Sequence, residues 1–124
     1  MDPADQLTSA AATGNAELLR TLLEGGVDAD AVNRFGRTAL QVMMMGSDRV
    51  AELLLSYGGN PNVRDPLTGS TPLHDAARLG FLDTARVLVR FGAQVDARDS
   101  RHLRPMDLAE QNGHLDVAEL LRSS

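Results

Sequence analysis

Thr71-Pro72-Leu73-His74-Asp75-Ala76-Ala77 decides the fold of this chain, because it is the clearest of several copies of one unit. Thr38-Ala39-Leu40-Gln41 precedes it by 33 residues, and Arg104-Pro105-Met106-Asp107 follows it by 33. A second ladder, Gly14, Gly46, Gly80 and Gly113, is spaced 32, 34 and 33, and a third, Gly26, Gly58 and Gly92, repeats the 32 and 34. Three ladders near one period mean that a short supersecondary unit recurs along the chain.

Working outward from that stretch gives the grammar of the unit. Thr71 is placed to cap a helix beginning at Pro72, whose ring already holds a helical φ and has no N–H to waste. Ala76 and Ala77 keep the helix thin, and Gly80 breaks it. A second helix from about Leu82 to Arg90 carries Leu82, Ala85, Leu88 and Val89 at helical spacing, and Gly92 ends it in a left-handed cap. The polar run Asp96-Ala97-Arg98-Asp99-Ser100 then makes a hairpin-like finger into the next unit. The expected fold is all-α, four helix-turn-helix repeats joined by fingers. The repeats fall at about residues 5–32, 33–64, 65–98 and 99–124 of one domain. Neighbouring pairs stack because no single pair buries its apolar face alone, and the fingers project to one side of a concave face.

Composition narrows the function. At 124 residues and 43% hydrophobic content, one domain can remove roughly two-thirds of its unfolded surface from water. There is no Cys, so no disulfide or thiolate chemistry is expected. All 12 basic residues are Arg, scattered singly, and the net charge is −5, which argues against nucleic acid. Met1-Asp2-Pro3-Ala4-Asp5 lacks the cationic and apolar runs of a signal peptide, and no apolar run is long enough for a membrane span. An intracellular, monomeric protein without membrane contact is expected. His74, His102 and His114 do not have metal-ligand spacing, and no cofactor is implied. A Ser70, His74, Asp75 triad fails because adjacent helical side chains diverge by roughly 100°, so Asp75 cannot orient the imidazole. No catalysis is expected.

The copies disagree in two informative places. Thr38 to Gly46 takes 8 steps, whereas Thr71 to Gly80 and Arg104 to Gly113 take 9, and the Ala pair has become Met43-Met44-Met45. On a helix those three side chains fan around the axis, so at least one is exposed as an adaptable contact. The finger Asp65-Pro66-Leu67-Thr68-Gly69 is one residue longer than Asn33-Arg34-Phe35-Gly36, which cancels the deletion.

The period of 33 and the Thr-Pro-Leu-His-x-Ala pattern resemble ankyrin repeats. Phe35-Gly36-Arg37, the run Gln41 to Ser47, Ala51-Glu52-Leu53-Leu54-Leu55 and His74 to Thr84 further resemble the four-repeat ankyrin inhibitors of cyclin-dependent kinases 4 and 6. That resemblance, spanning Leu7 to Arg122, implies a non-catalytic inhibitor. Such an inhibitor grips the kinase beside its ATP cleft, weakens cyclin D and ATP binding allosterically, and arrests the cell cycle in G1, acting in cytoplasm and nucleus. It also implies that Asp75, at the variable letter of the motif, pairs with a kinase arginine. Asp65 and Asp83 match acidic family positions, although a finger turn and a helix start also explain them. Glu17, Phe35, Gln41, Met43, Met44, Phe81 and Arg78 complete the candidate partner surface, while Thr71, Pro72, His74 and Gly80 are structural. Arg78 has a structural alternative, pairing with a finger carboxylate. The last finger departs from the pattern, with Arg101 replacing an aromatic and His102 a glycine. A generic ankyrin adaptor for an unrelated protein is the alternative function.

Overall fold

The computed structural model describes all residues, 1–124, as eight helices without a strand. They are α1 (Pro3–Thr13), α2 (Ala16–Glu24), α3 (Ala39–Val42), α4 (Asp48–Ser56), α5 (Pro72–Leu79), α6 (Leu82–Arg90), α7 (Pro105–Gln111) and α8 (Leu115–Arg122). Two compact units divide the chain, Met1–Asn60 and Pro61–Ser124.

In the unit Pro61–Ser124, α5 forms as its sequence dictates. Thr71 Oγ1 accepts the His74 N–H at 3.3 Å, Pro72 occupies the first turn, and Gly80 closes the helix at φ 83° by donating to the Ala76 carbonyl. Helix α5 packs on α7 and α6 on α8, so first helices meet first helices and second meet second. Ala76 and Ala77 are fully buried, and Leu73, Leu88 and Val117 fill the layers. Each such leucine contributes about 1.5–3 kcal/mol by leaving water. On α6 the buried face is Thr84, Ala85, Val87 and Leu88, so Val87 takes the core position expected of Val89.

The unit Met1–Asn60 repeats the scheme, α1 on α3 and α2 on α4, around Leu7, Leu19, Leu40 and Leu54. Its first helices differ in length, 11 residues in α1 but 4 in α3. The shortened helix expected of the second repeat is therefore real, and shorter than one missing residue requires. Met43-Met44-Met45 lies beyond its end rather than on it. Met43 takes an extended conformation, φ −58° and ψ 154°, and Met44 opens a turn closed by Ser47 N–H on its carbonyl at 3.0 Å, so the three side chains do not fan as on a helix. Met43 and Met45 are buried at 4% and 8% exposure, while Met44 is 47% exposed.

The fingers close without strand pairing. Asn33 N–H donates to the Arg37 carbonyl, Asp65 to Ser70 and Asp99 to Leu103, at 2.9, 2.9 and 3.0 Å. The middle finger spans one residue more than its neighbours, as its sequence indicates. In each, the first side chain holds the turn: Asn33 Oδ1 accepts from Phe35 N, Asp65 Oδ1 from Leu67 N, and Asp99 Oδ1 from Arg101 N.

Candidate functional site

The starts of the first helices carry the same device built from three chemistries. An N-cap backbone N–H donates to the side chain three residues on: Thr38 to Gln41 Oε1 at 2.8 Å, Thr71 to His74 Nδ1 at 3.1 Å, Arg104 to Asp107 Oδ2 at 2.8 Å. Each satisfies a donor that the helix leaves unpaired. His74 goes further. Its ring is fully buried, Nδ1 lies 2.9 Å from Thr71 Oγ1, and Nε2 lies 2.8 Å from the Leu103 carbonyl. That pattern assigns the ring proton to Nε2, which donates to Leu103 and ties the third repeat to the fourth finger. Both nitrogens are thereby engaged in structure.

Asp75, next in sequence, turns away from this network. Its side chain is 28% exposed and meets Arg78 Nη2 at 3.5 Å, one turn on. Burial holds its carboxyl above the ordinary carboxylate range despite the Arg78 charge, and Asp65 adds repulsion. The scaffold therefore keeps a partly desolvated anion paired with the half-exposed Arg78. Asp65 Oδ1 is itself engaged in its finger, accepting from Leu67 N and Thr68 N. Asp83 stands apart on α6, largely exposed and paired with Arg86 at 3.2 Å.

The remaining candidates divide between exposed and engaged. Phe35 is 74% exposed at its finger tip, with the Arg34 guanidinium 5.2 Å from the ring centroid. It rims a groove of about 240 Å³ that Thr8, Ala12 and Val42 also line. Glu17 is exposed in the first turn of α2, and Phe81 is 39% exposed at the start of α6. Three candidates are engaged within the chain. Met43 is buried past the end of α3, and Met44 is the exposed methionine of the run. Gln41 caps its own helix, its oxygen accepting from Thr38 N–H in the place that His74 holds in α5. Arg78 pairs with Asp75 rather than with a finger carboxylate.

The family model for ankyrin repeats (3 copies) matches residues 5–65 and 42–124. Cyclin-dependent kinase 4 inhibitor B of Homo sapiens is 60% identical over 118 residues, covering 95% of this chain and 86% of that protein. The Bos taurus protein of the same name is 57% identical over 118 residues, covering 95% and 90%. Cyclin-dependent kinase inhibitor 2A of Homo sapiens is 56% identical over 125 residues, covering 100% of this chain and 80% of that protein. The chain belongs to the cyclin-dependent kinase inhibitor 2 family.

Within the family's ankyrin fold, two features escape a sequence reading. Leu67, 85% exposed, is the tip of the longer finger. The signal was present, since the Asp65 turn forces the residue two positions on to point outward, but an isolated leucine in a loop carries no motif. Arg64 reaches both the Gly69 and Arg98 carbonyls, at 3.0 and 2.8 Å, joining the middle finger to the segment that enters the last. A scattered arginine gives no hint of such a role.

Proposed function

We propose that the chain is a non-catalytic inhibitor of cyclin-dependent kinases 4 and 6. It binds them through its finger tips and the exposed edge of its first helices. By preferring the inactive kinase arrangement it weakens cyclin D and ATP binding, and so holds cells in G1. Family membership supports inhibition of a cyclin-dependent kinase. The observation that carries the choice of surface is Asp75: a carboxylate kept partly desolvated at a cost to the free protein, beside a finger whose own acid raises that cost further. Docking against a cationic side chain would relieve both penalties. Phe35 and Met44 supply apolar contact of the kind that anchors an interface.

The test is inhibition of purified cyclin-dependent kinase 4 with cyclin D, and separately of kinase 6. Stoichiometric loss of activity is expected for both, with less cyclin D and ATP bound. Full kinase activity in the presence of excess folded chain would overturn the proposal.

A further inference from the structure

We propose that Met44 is a reversible oxidation site, and that its sulfoxide loosens the unit Met1–Asn60. Three adjacent methionines differ sharply in access: Met43 and Met45 are 4% and 8% exposed, Met44 47%. An oxidant in water therefore meets one sulfur of the three, since susceptibility follows exposure. That sulfur also has a structural seat. Gly14 ends α1 in the left-handed region, φ 73°, and a Cβ built on it would lie 3.0 Å from Met44 Sδ. The thioether thus covers the bare face of the glycine that closes the first helix. Beside it, the Met44 N–H donates to the Ala11 carbonyl at 2.9 Å, a contact that fastens the extended segment to the end of α1.

The chemistry is a two-electron oxygen transfer from a hydroperoxide. A lone pair on Sδ attacks one peroxide oxygen, an S–O bond forms and the O–O bond breaks. A proton passes to the departing oxygen, which leaves as water from hydrogen peroxide. Sulfur is oxidised and the peroxide reduced. The product is polar and bulkier at the atom that sat on Gly14, so it is driven toward water and away from the helix end. A thiol-dependent methionine sulfoxide reductase restores the thioether.

The experiment treats the whole folded chain with hydrogen peroxide. Peptide mass mapping then locates the added oxygen, and hydrogen exchange is read across residues 8–16. Met1, 83% exposed, serves as an internal exposed standard. Met44 is expected to oxidise about tenfold faster than Met43 or Met45. Exchange near Gly14 should quicken several-fold and recover after reductase treatment. A Met44→Leu chain oxidised in the same way should keep its protection although Met1 still reacts. Equal oxidation of all three methionines would overturn the proposal, as would Met44 sulfoxide with unchanged exchange, or an equal loss of protection in Met44→Leu.

Discussion

The units Met1–Asn60 and Pro61–Ser124 are built from the same pair of repeats, yet they solve the same three problems differently. At the end of the leading helix, Gly14 is covered by the flexible Met44 side chain. Gly80 is covered by the His114 ring, whose Nδ1 would lie 2.5 Å from an added Cβ. At the start of the inner helix, Thr71 shares its hydroxyl with His74, while Thr38 Oγ1 is buried without a partner. Helix α5 runs a full 8 residues where α3 runs 4. The unit ending in Ser124 is specified by hydrogen bonds and rigid rings. At the end of its leading helix the unit beginning at Met1 uses a thioether instead, which fills space without fixing it. An ankyrin repeat can thus keep its stack while one copy replaces a ring by an adaptable side chain and leaves a threonine hydroxyl unpaired.

The sharpest way to break this comparison is at the two glycines. Gly80→Ala places a Cβ both in the left-handed region and inside the His114 ring, so a loss of about 3 kcal/mol is expected. Gly14→Ala meets only the far end of a methionine, and about 1–2 kcal/mol is expected. Urea melts of both variants check this, and equal losses would mean that Met44 holds its place as firmly as His114. The threonines come next. Thr71→Val removes the partner of His74, at a cost of about 1–3 kcal/mol, whereas Thr38→Val removes an orphan hydroxyl and should be neutral or slightly stabilising.

The smallest effects are those of two acids within the same unit, and they have opposite signs. Burial raises the Asp75 carboxyl, so the folded state binds its proton more readily than the unfolded chain. Asp75 therefore favours folding only below the ordinary carboxylate range and opposes it once ionised. Asp107 is held down by the Arg104 guanidinium and backbone N–H, so its contribution is present at neutral pH and lost as the pH falls. Asp75→Asn should raise the thermal midpoint at pH 7, Asp107→Asn should lower it, and both differences should shrink at about pH 3. Midpoints that move in the same direction would contradict the assignment.

The fold was legible because its signals are local and periodic. Thr71, Pro72 and Gly80 each act through backbone conformation, and three ladders of them set helix limits that the structure keeps to the residue in α6. The middle finger's extra residue was equally plain. The path of Met43 to Met45 was not legible, because a helical period was assumed where α3 had already ended. Past that end the Met44 N–H bonds the Ala11 carbonyl of α1, a contact that leaves no mark on the Met run itself. Gln41 is a parallel case: its capping role appears only once Thr38 is seen to start so short a helix. For the candidate surface, Asp75 was legible at the variable letter of the motif and Phe35 through the family resemblance. Leu67 was not, since its exposure follows from the geometry of the turn at Asp65.

The proposed kinase-binding surface rests most heavily on Asp75, the variable letter in Thr71-Pro72-Leu73-His74-Asp75-Ala76-Ala77. The direct measurement is the affinity of Asp75→Asn for cyclin-dependent kinase 4, taken alongside its thermal midpoint at pH 7. The expected result is a loss of about 2–5 kcal/mol in binding with a midpoint unchanged or raised. A lowered midpoint with full affinity in the folded fraction would contradict it and return Asp75 to the scaffold.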